Sequence, residues 1–241
     1  MSDDRLATIR GLLAKAEATP FPAEAEAFLA KATELMTRYA IDEAMLAVDR
    51  PDHATPGEVR ITLERPYVAQ KALLVNEVAT RFGCRAIRFV SGPGVTVEVM
   101  SIVGFPVELE MVETLVTSLL VQLGTSMMAS QPSAGSASST AAWRRSFIAG
   151  FVETVGVRLA EQRSTVVADL SERDPGSPSV ALVLADRQVA VDADFRRRHP
   201  RVRQVSVSVG SSWRGRESGR VAGRRADLGS RRVGGRLRLP R

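Results

Sequence analysis

Apolar side chains recur at Leu6, Ile9, Leu12, Leu13 and Ala16, the three- and four-residue spacing that gathers them on one face of a helix. Asp3 or Ser2 stands where such a helix needs a cap. Thr19-Pro20-Phe21-Pro22 interrupts the pattern, and Pro22 suits the first turn of a second helix with Glu24 and Glu26 near its positive end. That helix carries the stripe Phe28, Leu29, Ala32, Leu35, Met36 and Tyr39. The two stripes predict an antiparallel hairpin. Asp42 is expected to cap one further short turn through Met45-Leu46, before a polar, proline-bearing linker over 49–57.

From Gly57 the period drops to two. Val59, Ile61 and Leu63 alternate with Arg60, Thr62 and Glu64, as in a half-buried strand. A helix over Val68–Phe82 follows and Gly83 ends it; Cys84–Val90 and Val95–Val103 read as strands joined by Ser91-Gly92-Pro93-Gly94. Pro106 opens a long helix through Leu123 or beyond. Ser130–Ala141 holds no charge and little apolar surface, which predicts a flexible loop. A helix resumes near Ala142 on Trp143, Phe147, Ile148, Phe151, Val155 and Leu159 and extends toward Leu170. Beyond the turn at Asp174–Pro178 the pattern predicts a strand Val180–Ala185, a short helix near Asp186–Arg198 and an alternating strand Val202–Val209. The fold class is therefore α+β, with an N-terminal α-helical hairpin followed by a mixed or antiparallel sheet layered with helices. The expected division is a hairpin at 1–48, an α+β core at 57–209 containing the loop 130–141, and a basic C-terminal segment at 210–241.

The hairpin residues form a recognisable series. Ile9, Leu12-Leu13-Ala14-Lys15-Ala16-Glu17, Glu24-Ala25-Glu26-Ala27, Ala30-Lys31-Ala32, Glu34-Leu35-Met36, Tyr39 and Ile41-Asp42 resemble the bacterial and phage domain DUF2786, over about the first 46 residues. The family carries no assigned activity. The resemblance implies a helical N-terminal unit and says nothing of catalytic residues.

Charge is divided unevenly. Residues 196–241 hold 15 arginines against Glu217 and Asp227, a balance of +13, whereas residues 1–195 carry −7. Lys15, Lys31 and Lys71 are the three lysines. The acids in MSDDRLATIR stand where a secretory leader is basic, so the expected location is cytoplasmic, with no membrane partner. Cys84 is the single cysteine, and cannot form an internal disulfide.

Several chemistries are excluded by what the chain lacks. Two histidines, His53 and His199, with one cysteine fall short of a three- or four-ligand Cys/His zinc site within one chain. The phosphate cradle Gly-x-x-x-x-Gly-Lys, the Gly-x-Gly-x-x-Gly fingerprint and the Gly-x-Ser-x-Gly elbow are all missing. No cofactor is expected. Glu24 and Glu26, or Glu108 and Glu110, sit where carboxylates serve a helix dipole.

The basic end carries the functional signal. Gly215, Gly219 and Gly223 recur every four residues, as do Arg216, Arg220 and Arg224, so a helix there has a glycine ridge beside an arginine ridge. Such a helix needs a surface to fold against, because each interior glycine costs about 1 kcal/mol relative to alanine. Guanidinium groups bind phosphates bidentately at any relevant pH, and an aromatic beside them stacks on unpaired bases. The candidate nucleic-acid-binding residues, for DNA or RNA, are Arg196, Arg197, Arg198, Arg201, Arg203, Trp213, Arg214, Arg216, Arg220, Arg224 and Arg225. Two alternatives stay open: a tail that clamps the acidic core in cis, and an enzyme built on carboxylates that no spacing reveals.

Overall fold

A proline at the first turn and an unbroken run of helix formers make Pro22–Val48 a single helix, α1. The computed structural model describes residues 7–9, 11, 12, 14, 15, 19, 22–48, 55–90, 97–132, 136–173 and 179–226. Backbone at 7–9, 11, 12, 14 and 15 is helical, and Ile9 is buried in one cluster with Ala32, Met36 and Tyr39 of α1. The expected cap at Ser2 or Asp3 lies outside the described residues. Asp42 does not begin a separate turn, contrary to expectation. Nothing after Tyr39 breaks the helical period, and Ala40, Ile41 and Ala44 continue the buried stripe of α1.

The β-α-β-β-α pattern appears where the periodicity placed it. β1 (Gly57–Glu64), α2 (Val68–Arg81), β2 (Arg85–Phe89), β3 (Val97–Gly104) and α3 (Pro106–Ser130) follow in order. The sheet is antiparallel with β3 in the centre, pairing Val59 with Ile102 on one side and Ile87 with Ser101 on the other. Alternation sends Val59, Ile61, Leu63, Ala86, Met100 and Ile102 into the core with Leu74, Val75 and Val78 of α2 and Leu109, Val112 and Leu115 of α3. By the same alternation the opposite face carries Glu58, Arg60, Val99, Ser101, Ile87 and Phe89. The joining turn at 91–96 lies outside the described residues.

Three later expectations are corrected. The loop expected over 130–141 shrinks, because α3 runs to Ser130 and α4 (Ala137–Arg173) begins at Ala137. Ser136 makes the earlier start feasible, its Oγ accepting the Ser139 amide at 3.3 Å. Alanine and serine extend a helix readily once Trp143, Phe147 and Phe151 are buried behind them. Val180–Ala185 is helix, not strand: α5 spans Val180–Arg198. A six-residue apolar run fits either structure, and here Val180 packs with Ile41 of α1 and Val166 of α4.

Val202–Val209, the other expected strand, joins no sheet among the described residues. Alternation prescribes a strand but supplies no neighbour to complete its hydrogen bonds. The segment is tied down near its far end, where Gln70 Nε2 donates to the Ser208 carbonyl at 2.7 Å and Ser146 Oγ accepts the Ser212 amide at 3.0 Å. It leads into α6 (Trp213–Arg225). The main core cluster reaches from Ile9 to Ala226, so α6 is one of its walls.

Candidate nucleic-acid interface

The acidic body supplies the surface that α6 needs. Ser212 caps the helix, its Oγ accepting the Gly215 amide at 3.1 Å. The glycine ridge faces α4: a Cβ on Gly215, Gly219 or Gly223 would crowd the backbone of Trp143, Phe147 or Phe151, and one on Gly150 would meet the Arg216 carbonyl. Only hydrogen fits at this crossing. At the other end, Arg158 donates to the Gly223 carbonyl at 2.8 Å and to the Ala226 carbonyl, placing a cation on the negative end of the helix.

The arginine ridge lies alongside and is taken up internally. Arg216 and Arg220 both reach Glu153 of α4. Arg216 above all holds the Glu153 carboxyl below its ordinary range, with Arg220 acting in the same sense and partial burial opposing both. Arg224 pairs with Glu217 at 3.0 Å and Arg220 with the same carboxylate at 3.7 Å. These three predicted site residues are therefore engaged within the protein.

The other flank of α6 faces outward. Trp213 is 73% exposed and carries the Arg214 guanidinium 5.5 Å from its ring centre. Between α6, the end of α3 and the start of α4 runs a cleft of about 580 Å³, lined among others by Trp143, Trp213, Arg214, Arg225, Ser126 and Ser130. Neither Arg214 nor Arg225 forms a salt bridge among the described residues, and Glu217 is the one carboxylate in the lining. A larger cleft of about 720 Å³ beside β1 and α3 carries Glu58, Glu110 and Glu113, an arrangement that repels phosphate.

The remaining candidates gather at the sheet instead. Arg196, Arg197 and Arg198 form the last turn of α5, with Arg201 and Arg203 exposed just beyond. Asp194, itself buried, receives Arg197 and Arg198, and Arg198 also lies 3.5 Å from Glu58. Arg196, Arg201 and Arg203 have no carboxylate partner among the described residues. Next to them, Ser101 Oγ donates to Glu58 at 2.7 Å, which leaves it to accept from His199 Nε2 at 3.3 Å. The Ser101 hydroxyl, then Arg60 and His199, hold the Glu58 carboxyl low against the opposing effect of burial. Ser101 is wholly buried, so this cluster presents no nucleophile to a substrate.

The structure thus brings Trp213, Arg214 and Arg225 together, and groups Arg196, Arg197, Arg198, Arg201 and Arg203 elsewhere. Trp143, Ser126 and Ser130 complete the cleft from distant points of the chain, and no local pattern marked them for it. Cys84 is buried, and that burial, with Glu108 nearby, raises its thiol pKa strongly despite Arg163 and Arg187. Among the described residues no three metal-ligating side chains gather.

Comparison with known proteins places one segment. Residues 6–43 match the family model of a protein of unknown function, DUF2786. No curated protein and no solved structure matches the chain. The matched residues are those of the N-terminal helices, so the α4–α6 clasp and the cleft beside it lie outside the match. Over residues 6–43, and there alone, the chain is similar to DUF2786.

Proposed function

We propose that this protein is a nucleic-acid-binding module that takes single-stranded DNA or RNA in the cleft beside α6. It acts in the cytoplasm without membrane or cofactor. One observation carries the reading: an exposed indole stands in a cleft with two guanidinium groups that form no salt bridge among the described residues. Trp213 would stack on an unpaired base while Arg214 and Arg225 hold the phosphates on either side of it. Duplex bases, already stacked and paired, offer Trp213 no free face.

The test is binding of labelled single- and double-stranded DNA and RNA across a salt series, with the full chain. Affinity for single strands should fall with salt at a slope of about −0.7 per phosphate held. Trp213→Ala should weaken single-strand binding by about tenfold. Arg214→Ala with Arg225→Ala should flatten the salt slope by about 1.4. Absence of binding, or binding indifferent to these changes, would overturn the reading. Removing everything after Val209 is a poor test, because it also strips α6 from the core.

The ion pairs of Arg216 and Arg220 with Glu153 favour a second reading for those arginines: they neutralise the acidic body in cis. On that reading Glu153→Gln lowers stability and leaves the cleft intact.

A further inference from the structure

The outer face of the sheet carries a second ring assembly that the sequence did not mark. Phe89 of β2 is 43% exposed and meets the His199 ring edge-on at 5.8 Å. Phe195 closes the row on the other side of His199 at 5.1 Å. His199 is held in place by Ser101 of the central strand, and α5 covers only part of this face, through Val191 and Phe195 against Val103. Phe89, Val90 and Val97 remain open at the uncovered end.

The charge around these rings is unbalanced. On this side Arg60, Arg85, Arg196, Arg197, Arg198, Arg201 and Arg203 outnumber Glu58, Glu64, Asp192 and Asp194; Glu58 and Asp194 are engaged by Arg60, Arg197 and Arg198, and Asp192 by Arg85. An open aromatic pair rimmed by excess guanidinium suits a chain of stacked bases on a phosphate backbone. A basic or purely apolar protein partner would leave that charge unanswered. The exposed segment carrying Arg201 and Arg203 runs from His199 to Trp213, joining this face to the cleft.

We propose that the outer face of the sheet is a second stacking platform for the same single strand, with Phe89 and His199 receiving bases and Arg60, Arg201 and Arg203 receiving phosphates. This rests on the single-strand reading of the cleft. A strand long enough to follow the arginine-bearing segment occupies both places; a short one occupies the cleft alone.

The experiment compares oligodeoxythymidines of about 5 and about 20 nucleotides, lengths that bracket common single-strand site sizes, against the full chain. Phe89→Ala should weaken the long oligonucleotide about tenfold and leave the short one unchanged, whereas Trp213→Ala weakens both. Arg201→Ala with Arg203→Ala, at exposed positions where folding is not at stake, should reduce the salt slope by about 1.4 for the long oligonucleotide only. If neither set of changes alters long-oligonucleotide binding while Trp213→Ala does, the platform is overturned and the cleft stands. Failure of both oligonucleotides to bind overturns the two together. A free protein that sediments as a dimer, and as a monomer after Phe89→Ala, would assign this face to a second copy of the chain instead.

Discussion

The two flanks of α6 use arginine in opposite ways. Arg216, Arg220 and Arg224 lie toward Glu153 and Glu217 and pair with them at the surface of the protein. Arg214 and Arg225 lie within the same 13-residue helix, line the cleft, and form no salt bridge among the described residues. The helical period sorts the charges: steps of four repeat a face, while Arg214 and Arg225 fall off that register. The arginines of this run that fall among the described residues do not form one surface: they divide into partners of Glu153 and Glu217, a cleft pair and a group at the sheet.

The contrast can be broken most severely at the glycine ridge. Gly219→Val forces a branched side chain against the Phe147 carbonyl, and should cost about 3 kcal/mol, read as a lowered urea midpoint. If stability does not change, α6 is not clasped on α4 and the sorting of its arginines fails. Next comes the outward flank, where Trp213→Ala should lose about 1–3 kcal/mol of single-strand affinity without moving the urea midpoint, since the indole is largely exposed. A comparable loss of stability would make Trp213 a packing residue.

Smaller effects sharpen the inward flank. Glu153→Gln should cost under about 1 kcal/mol, because the carboxylate and both its arginines are well solvated. The same substitution frees Arg216 and Arg220, so non-specific nucleic-acid affinity should rise and its salt slope steepen. Acid should imitate this change. Glu153 titrates lower in the fold than its ordinary value of 4.5, so its contribution is complete above that value and is lost as pH falls through the lowered one. The Glu153→Gln protein should show a correspondingly shallower loss of stability in that range. Smallest of all, Cys84 should resist a thiol reagent until the protein unfolds, as burial keeps the thiol protonated.

Legibility followed the range of the interactions involved. Pro22, Pro106, Gly83 and the alternation of β1 act within a few residues, and the elements they mark stand where the pattern put them. The alternation of Val180–Ala185 and Val202–Val209 does not decide their structure, because the outcome depends on remote partners. The first found α1 and α4 and became helix; the second found no neighbouring strand among the described residues. In the candidate site, the glycine spacing of α6 already called for a close-packed surface. Which arginines would be consumed there could not be read without the position of Glu153.

By itself the sequence determined the α+β class, the N-terminal helices over the segment similar to DUF2786, the sheet-and-helix order from Gly57 to Ser130, and a glycine spacing that makes any helix at 215–223 require a close-packed surface. These follow from periodicity, capping and backbone entropy, which are local. Tertiary structure alone decided that α4 is that surface, that Glu153 absorbs two arginines, and that Trp213, Arg214 and Arg225 meet the ends of α3 and α4 around a cleft. Ion pairing and concavity depend on distances between side chains far apart in the chain, and such distances exist only once the core has closed.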